Sequence, residues 1–568
     1  MNPADSKRKI QWFLFIPAAL LAAAGIVFRC QGQTRFLEYD EVWTFQFYVP
    51  LSCHDIFTDV ATPNNHCLNS LLIKWLYSVC PDGSAGLVRL PALAAGLLLL
   101  FLALCAVWKM TRQPGPFLLA AASLGLQAEL IHFSRTARGY SLQSLFVLAF
   151  FLLLVRPVRS SGSWKTASLL FLCAAGACLS VTSGLIFIGA GGAAWLLCFL
   201  FAQRKKKRVR PVFPAVSEKG GWKSVAAAGI VFLIFTGLWY GSQYAKLKQG
   251  QQFGTELSSP DGFLRFCGTV LSGLHLFPLL LLTTAGLFIR KRNPFRFLFS
   301  FTLIFCALVL LSALATKAGP LRVYLPLCAP LAVSGAAALT VLCRAVRRPR
   351  WDLPAGLLVS LFPLAVFPGD MEKIEPFGSE HIVAEVMREI PKNVIIVCRR
   401  GDEIPVLFNC PESVQDFQAR LQNPSGLSAL LVMGRKDVLE VMDGRGRNVD
   451  VPLNPEYVRE ELPPQKGIPL TRFKLEPLTE NDDPASGLLL MSVRSSGWDS
   501  SVFRRGPWLR ISAVITSASR RNERDLSGLY LCERPSMSVR ECLETEQASG
   551  GRIRFYRFRA AAGEGRRP

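Results

Sequence analysis

Long apolar stretches separated by short polar segments dominate the chain up to residue 368. A helix that crosses a bilayer needs about 20 mostly apolar residues. By this criterion the pattern predicts an α-helical polytopic membrane protein with about 11 transmembrane helices. The predicted spans are residues 11–28, 87–108, 115–133, 140–155, 166–182, 184–202, 222–243, 267–289, 297–316, 322–343 and 353–368.

The segment of residues 66–80, between the first two predicted spans, has a different pattern. Its polar residues Asn69, Ser70, Lys74 and Tyr77 occupy one helical face. Apolar residues recur at helical spacing on the other face, at positions 68, 71, 72, 75, 76 and 79. This pattern predicts an amphipathic helix that lies in the membrane interface and does not cross it.

The composition changes after residue 368, where apolar runs shorten and Pro, Gly and charged residues become frequent. The change predicts a transmembrane domain of residues 1–368 and a soluble α/β or α+β domain of residues 369–568 that ends in a disordered tail from Ala560. Short apolar segments predict strands at residues 393–398, 427–434, 487–493 and 509–515, and more helical ones lie at residues 381–390 and 414–421.

Basic residues cluster between the spans, although the chain as a whole carries a formal net charge of +23. The clusters fall on one side if the spans alternate, and the positive-inside rule makes that side cytoplasmic. This explains the charge better than a nucleic-acid partner, so none is expected. The clusters include residues 7–9, 109–112, 156–159, 204–210, 290–296 and 344–350.

The same rule predicts a cytoplasmic N-terminus and an extracytoplasmic C-terminal domain, in a protein of a plasma membrane or bacterial inner membrane. The first span, preceded by the basic residues 7–9 and lacking a clear cleavage site, is predicted to be a retained signal anchor. Four outer segments result, at residues 29–86, 134–139, 244–266 and 317–321.

Four of the 16 cysteines, Cys30, Cys53, Cys67 and Cys80, lie in or beside the first outer loop. A disulfide there is possible, and four cysteines allow three pairings. Most other cysteines lie inside apolar spans, as small buried hydrophobes do. No CxxC pair occurs, which argues against a structural zinc site.

Two adjacent carboxylates, Asp40 and Glu41, follow the first span in the outer loop. A carboxylate can act as general base on a hydroxyl or amine within hydrogen-bonding reach. Neighbouring carboxylates can also bind a divalent cation that neutralises a phosphate leaving group. Alternatively, the pair is solvated in the loop or caps a helix that begins near Val42. The residues alone leave both interpretations open.

Another polar turn, Pro63-Asn64-Asn65-His66, lies in the same loop. Its histidine can ligate a metal or contact a phosphate, although a lone loop histidine often does neither.

Arginines break the positive-inside pattern at two outer turns. Arg135 and Arg138 precede Tyr140, and Arg322 with Tyr324 opens the tenth span. An outward cation beside a membrane can anchor an anionic substrate group. The alternative is that these side chains only snorkel at helix ends.

Other charged residues are weaker candidates. Lys246 and Lys248 lie in an outer loop, while Glu129 and His275 lie within predicted spans. Ionisable groups inside a membrane often mark a functional site, but these two could simply hydrogen-bond a neighbouring helix.

The motifs at residues 39–41, 63–66, 135–140 and 322–330 together resemble the GT-C glycosyltransferase superfamily. They are most similar to its family 39 branch, which includes protein O-mannosyltransferases and lipid A aminoarabinose transferases. The resemblance covers residues 10–345, and it depends on the order and common sidedness of the motifs.

The resemblance implies a membrane glycosyltransferase that uses a polyprenyl-phosphate-linked sugar donor and inverts the transferred sugar, with or without a metal ion. It implies that Asp40 is the base, that Glu41 supports it, and that Arg138 and Arg322 hold the donor phosphate. The other expected substrate-binding residues are Asn65, His66, Arg135, Tyr140 and Tyr324. A divalent metal ion, where one is used, would have Glu41 and His66 as candidate ligands. Membrane lipids and an unidentified glycan, lipid or protein acceptor are the other expected partners.

Two positions depart from the family pattern. Thr136 stands where relatives often have an acidic residue, which weakens a metal proposal. Cys67 and Leu68 follow His66, where His-Pro-Pro or His-Pro-Leu is more usual. The C-terminal domain shows no resemblance to a known family.

Two other classes of function remain open. A transporter or flippase of lipid-linked sugars should have midplane charges and paired broken helices in two halves, and the sequence shows few such charges and no halves. A non-catalytic membrane assembly protein should tolerate replacement of Asp40 and Glu41.

Overall fold

The apolar pattern folds into helices in the computed structural model of the chain. The structure describes residues 15–33, 37–59, 65–80, 85–155, 163–204, 221–243, 257, 259–289, 293–346, 351–374, 394–398, 429–433, 473–481, 489–493, 509–511, 528–532, 537–550 and 553–560. The chain divides into two compact units, residues 1–35 with 44–375 and residues 36–43 with 376–568.

The helices are named here in chain order. They are α1 (Ile16–Cys30), α2 (Tyr39–Trp43), α3 (Cys53–Thr58), α4 (Cys67–Val79), α5 (Ala85–Thr111), α6 (Pro114–Gly125), α7 (Ala128–Ser134), α8 (Tyr140–Val155), α9 (Ser163–Ser180), α10 (Gly184–Arg204), α11 (Gly221–Ser242), α12 (Pro260–Gly273), α13 (Phe277–Phe288), α14 (Arg296–Thr316), α15 (Cys328–Ala345), α16 (Asp352–Ile374) and α17 (Val539–Ala548). A π-helical turn, Thr44–Tyr48, follows α2, and a 3-10 helix, Leu321–Leu327, precedes α15.

Within the described residues, five helices are long and apolar enough to cross a membrane, or seven spans if each of two bent helix pairs counts as one. Four shorter apolar helices, α1, α8, α9 and α11, match the remaining predicted spans. Each predicted span therefore has its helix, and the prediction of a polytopic α-helical membrane protein is confirmed. The side of the membrane on which each end lies stays a prediction.

Two predicted spans are wrong as single helices, because each is broken. Helices α6 and α7 meet at an angle of 58°, and α12 and α13 meet at 99°. His275, in the second break, has a φ of 53°, which a continuous helix cannot contain. Pro278 follows at the start of α13, where its missing N–H costs nothing. The helix also starts earlier than predicted, at Pro260, because Asp261 and Arg265 lower the hydropathy of its first turns.

A buried arginine stabilises the break between α6 and α7. The Arg29 guanidinium donates to the carbonyls of Leu124 at 2.8 Å, Gly125 at 3.2 Å and Gly25 at 2.8 Å. The carbonyls of a helix end lack intrahelical partners and carry partial negative charge, so a cation suits them. Helices α1 and α6 approach closely there, since a Cβ on Gly25 would lie 2.7 Å from the Gly125 Cα.

Helix α15 with its preceding 3-10 turn forms the centre of the bundle. Of the residues in this span, 94% are buried inside the protein, whereas only 17% of those in α16, at the periphery, are buried. Small residues such as Ala332, Gly335 and Ala336 line α15 and permit close packing by α6 and α13. The 3-10 turn that carries Arg322 is therefore attached to the best-packed element of the unit.

Helix α4 has the amphipathic pattern predicted for an interfacial helix, with the polar face turned toward the protein. Asn69 and Ser70 are fully buried, whereas Trp75 is 63% and Val79 66% exposed. An apolar outer face of this kind fits a surrounding of lipid. The nearby Cys30, Cys53, Cys67 and Cys80 each carry a free thiol.

The second unit contains strands in the segments predicted for them. Strands β1 (Val394–Cys398) and β2 (Ala429–Met433) pair in parallel. An antiparallel sheet has the order β3-β7-β4-β6-β5. Its strands are β3 (Phe473–Pro477), β4 (Leu489–Val493), β5 (Leu509–Ile511), β6 (Gly528–Cys532) and β7 (Ile553–Ala560).

Helix α17 packs on β7 and begins with a capping box of Ser538 and Glu541. The predicted helices at residues 381–390 and 414–421 and the tail after Ala560 lie outside the described residues. The domain boundary at residue 368 also stays a prediction, and α16 continues past it to Ile374.

Candidate functional site

A tight turn between α7 and α8 brings the predicted arginine motif against two other parts of the chain. The Arg138 N–H donates to the Thr136 carbonyl at 2.7 Å. At Gly139, an added Cβ would lie 2.1 Å from the Ser180 carbonyl oxygen at the end of α9 and 3.0 Å from the Cβ of His66. Only a glycine fits between these groups, so Gly139 sets the distance from the turn to His66.

Two asparagines hold the histidine turn in place. The Asn65 amide donates to the carbonyls of Ile56 and Asp59, and its oxygen accepts from the Ser70 hydroxyl at 3.2 Å. One turn later, Asn69 donates to the Ala137 carbonyl at 2.9 Å and so joins α4 to the arginine turn. Buried amides that satisfy backbone carbonyls fix the relative position of two loops more firmly than apolar contact does.

The four side chains His66, Arg138, Tyr140 and Arg322 form one polar cluster, here called the arginine cluster. Arg138 Nε donates to His66 Nε2 at 3.4 Å, and its guanidinium lies 5.5 Å from the Tyr140 ring centroid. The His66 and Tyr140 rings meet edge to face at 5.2 Å. Arg322 Nε donates to the Tyr140 hydroxyl at 3.1 Å. Three predicted motifs, far apart in the chain, therefore meet in space.

Three of the four side chains of the arginine cluster are shielded from solvent, and Arg322 is partly buried. His66 is 1%, Tyr140 5% and Arg138 6% exposed. Burial lowers the pKa of His66 to about 4; the positive charge of Arg322 also lowers it, and a hydrogen bond with the Ser180 backbone opposes the shift. The imidazole is thus neutral at pH 7, and its Nε2 can accept from Arg138. Two guanidinium groups beside a neutral histidine favour an anionic ligand.

Two other residues predicted to bind substrate, Arg135 and Tyr324, lie close in sequence to the arginine cluster but contact other residues. Arg135 is 1% exposed and follows the last turn of α7, where its backbone N–H donates to the His132 carbonyl at 2.9 Å. The Tyr324 ring packs edge-on against Phe266 of α12 at 5.2 Å. Their substrate contacts stay predictions.

The carboxylate pair lies in the second unit, in the short helix α2. Glu41 is fully buried, and its Oε2 accepts from the Glu38 N–H at 2.8 Å. Asp40 is partly buried. Glu41 thus makes a helix-capping contact, one of the two interpretations that the sequence left open for the carboxylate pair. This contact fits a structural role. The roles of Asp40 and Glu41 in catalysis stay predictions.

The surroundings of His66 do not favour a metal ion. Its Nε2 faces the Arg138 guanidinium, whose charge repels a cation. Throughout the described ranges there is no group of three His, Cys, Asp or Glu side chains that could hold a metal. The metal requirement stays a prediction, and no chemical step below depends on it.

Two contributors were not predicted as site residues. Asn69 and Gly139 position other residues and take no part in the chemistry themselves. Little in the sequence marks them as site residues. Asn69 follows Asn65 by four residues, the spacing that puts two amides on one helix face. Gly139 is a glycine beside a predicted helix start, a place where glycine is common.

No protein-family model matches the chain, and no curated protein matches it. Two crystal structures of ArnT from Cupriavidus metallidurans are similar to it. The apo structure is 14% identical with a TM-score of 0.46, over 80% of this chain and 96% of that chain. The structure bound to undecaprenyl phosphate is 13% identical with a TM-score of 0.45, over 81% and 98%.

Identities this low assign no residue role, so the roles proposed below depend on the residues of this chain.

Proposed function

We propose that the chain is an integral-membrane glycosyltransferase that moves a sugar from a polyprenyl-phosphate donor to an acceptor on the extracytoplasmic face, with Asp40 as the base. One observation carries the proposal: His66, Arg138, Tyr140 and Arg322 come from three separate motifs and form one cluster, in which the first three side chains are buried. The motif resemblance to family 39 transferases supports the same reaction.

The arginine cluster suits a phosphate that departs during transfer. Arg138 and Arg322 would contact the phosphate oxygens and neutralise the charge that develops as the bond to the sugar breaks. Tyr140 lies between the two guanidiniums and holds both, through its ring face and its hydroxyl. A cluster preorganised in this way needs little rearrangement when the charge appears, which is the main source of such stabilisation.

The proposed step balances without a cofactor. An acceptor hydroxyl oxygen attacks the anomeric carbon while the bond from that carbon to the phosphate oxygen breaks on the opposite face. Asp40 takes the hydroxyl proton, and polyprenyl phosphate leaves with the bonding electron pair. The configuration at the anomeric carbon inverts.

The test is a transfer assay on purified protein in nanodiscs, with a radiolabelled polyprenyl-phosphate sugar and a membrane extract as the source of acceptor. Asp40→Asn keeps the size of the side chain but cannot take a proton, so we expect turnover to fall below detection with an unchanged thermal midpoint. Retained turnover by Asp40→Asn would rule out Asp40 as the base. A parallel assay with a chelator tests the metal requirement.

Asp55→Asn is the matched control. Asp55 is exposed, and its Oδ2 accepts from the Ser52 hydroxyl at 2.7 Å in the first turn of α3. We expect this variant to keep its turnover, because Asp55 is an exposed first-turn residue whose described hydrogen bonds join it to the Ser52 cap of α3. A similar loss in both variants would point to a general effect of charge in the outer loop.

A second candidate function, a transporter or flippase of lipid-linked sugars, gains support from the two broken helices. Broken spans with ionisable residues nearby are typical of transporter binding sites. Here Glu129 follows the α6–α7 break and His275 lies in the α12–α13 break. The sequence did not show these breaks.

Proteoliposomes separate the two functions. A flippase moves a fluorescent polyprenyl-phosphate sugar across the bilayer without an acceptor, and Asp40→Asn should not affect that movement. A transferase releases polyprenyl phosphate only when an acceptor is present. Movement without release would favour the transporter.

A further inference from the structure

Arg322 is the partly exposed member of the arginine cluster, and much of its guanidinium is open to a ligand. Its Nε donates to the Tyr140 hydroxyl at 3.1 Å. Within the described part of the chain this is the only hydrogen bond of the Arg322 side chain, so its two terminal nitrogens are available. Two parallel N–H donors of this kind match the oxygens of a phosphate.

The Glu129 carboxylate acts on the same guanidinium. Glu129 lies in the first turn of α7, directly after the α6–α7 break, and α7 packs against the 3-10 turn that carries Arg322. Its carboxylate interacts electrostatically with Arg322 and, more weakly, with Asp370 of α16. Asp370 has a partner of its own, because its carboxylate is hydrogen-bonded to His275. Arg322 is therefore the cation that acts most strongly on Glu129.

This interaction operates at a distance. No hydrogen bond or ion pair joins the Glu129 side chain to another residue in the ranges that the structure describes. Glu129 is partly buried, and charges interact more strongly in such surroundings than in bulk water. A charge of this kind can alter the binding of an anion to Arg322 without contacting that anion.

A phosphate on the terminal nitrogens of Arg322 would be a second anion in the neighbourhood of Glu129. The two anions repel each other, with an energy proportional to the charge on the phosphate. A phosphodiester, such as a polyprenyl-phosphate sugar, carries one negative charge. A phosphate monoester, such as the polyprenyl phosphate that leaves, approaches two negative charges above its second pKa of about 6. Repulsion by Glu129 thus disfavours the product about twice as much as the donor, in free energy.

We propose that Glu129 is a specificity-determining residue, whose repulsion weakens the binding of polyprenyl phosphate and so favours its replacement by a new donor. The inference rests on the proposed function, because it requires that Arg322 binds the phosphate. In this role Glu129 needs no contact with the reacting atoms. Without it, the two guanidinium groups would bind the more highly charged product too tightly, and the product would inhibit the enzyme.

Equilibrium binding to the full chain in nanodiscs at pH 8 tests this inference. The two probes are undecaprenyl phosphate and its methyl phosphodiester, which carries one charge and does not depend on the identity of the sugar. Glu129→Gln keeps the size of the side chain and removes its charge. We expect it to raise the affinity for undecaprenyl phosphate about 10-fold and for the methyl phosphodiester about 3-fold, because half the charge gives half the free energy. A loss of affinity for both probes would show that Glu129 only holds Arg322 in place, and would overturn the inference.

Asp352→Asn is the matched control, because it removes a buried carboxylate at the opposite end of α6 from the break. There Asp352 accepts from the Gly115 N–H at 3.4 Å. This variant should leave both affinities unchanged. Glu129→Asp, which keeps the charge, should stay within about 2-fold of the wild type for each probe. Glu129→Ala, which removes the charge without adding an amide, should change the ratio of the two affinities as Glu129→Gln does.

The outcomes separate this inference from the proposed function. If the wild-type chain binds neither probe, the arginine cluster is not a phosphate site, and both proposals fail. If the wild type binds both probes and loss of the Glu129 charge leaves the ratio of affinities unchanged, this inference alone fails. Thermal midpoints of the variants check folding, and that of Glu129→Gln should match the wild type because no described hydrogen bond is lost.

Discussion

The helical unit contains two polar regions that are built in opposite ways. In the arginine cluster the four side chains contact one another, and two guanidinium groups lie beside a neutral histidine. At the helix breaks, His275 and Asp370 hydrogen-bond each other, and Glu129 lies within electrostatic range of Arg322 and Asp370. The cluster joins four side chains from three separate motifs, whereas the hydrogen bond at the breaks joins two side chains.

This difference teaches how each region responds to mutation. A preorganised cluster transmits a change at one member to the others, because His66, Arg138 and Tyr140 contact one another. A pair of side chains, such as His275 and Asp370, has fewer contacts through which a change at one member can spread. The predictions that follow make the contrast measurable.

The largest effect should come from the arginines. We expect Arg138→Gln and Arg322→Gln each to reduce kcat of sugar transfer about 100-fold, because each removes a charge-assisted donor to the departing phosphate. The double variant should lose less than the product of the two, since both side chains act through Tyr140. Initial-rate assays over a range of donor concentrations measure this.

Arg265→Gln is the control for the arginine variants, because Arg265 is an exposed residue of α12. It should keep its kcat. Fully multiplicative losses at Arg138 and Arg322 would show that the two residues act independently and would contradict a single cluster.

The second effect concerns the backbone under the cluster. Gly139→Ala puts a methyl group 2.1 Å from the Ser180 carbonyl, so the turn must move. We expect a loss of about 1–3 kcal/mol in the free energy of unfolding, seen as a lower thermal midpoint in detergent. Gly268→Ala on α12 is the control, since its added methyl meets nothing within 4 Å. It should be neutral or slightly stabilising. Equal midpoints for the two variants would show that the turn adapts freely.

The smallest effect is the pH dependence from His66. Burial holds its pKa at about 4 in the folded chain, against 6.5 for the free side chain. Between these values the unfolded chain binds more protons, so stability falls as the pH falls from 6.5 to 4, by at most about 1.4 kcal/mol per pH unit. Above pH 6.5 both states are neutral at this position, and His66 makes no contribution to pH dependence.

A His66→Gln variant isolates the contribution of His66 to the pH dependence of stability, because other groups titrate in the same pH range. Thermal midpoints of both proteins, measured from pH 4 to pH 7.5, should diverge below pH 6.5. Parallel curves would mean that the pKa of His66 is the same in the folded and the unfolded chain, which would contradict the lowered pKa.

The arginine cluster could be predicted from the sequence because its members lie in short motifs at the ends of apolar runs. Arg138 and Tyr140 are separated by one residue, and Arg322 opens a span. Apolar content likewise predicted every span, since bilayer crossing sets a length and composition that single sequences show directly.

The two helix breaks could not be predicted, because hydropathy averages over a break. His275 lies within an apolar run, and its left-handed backbone leaves no mark on composition. The contact between His275 and Asp370 joins residues 95 positions apart, which no local pattern encodes. The capping role of Glu41 was open for the same reason, since one carboxylate can serve either purpose until its neighbours are known.

Arg29 has a consequence for biogenesis. Two of the carbonyls that receive its guanidinium belong to Leu124 and Gly125, which leave the ribosome 95 or more residues later. Until then the Arg29 guanidinium lacks these two partners inside the hydrocarbon, so its charge is least costly at the water-facing surface of the bilayer. Helix α1 therefore reaches its final depth in the membrane only after α6 inserts. In truncated chains that end before residue 125, we expect α1 to lie at a shallower depth and to exchange more readily with the aqueous phase.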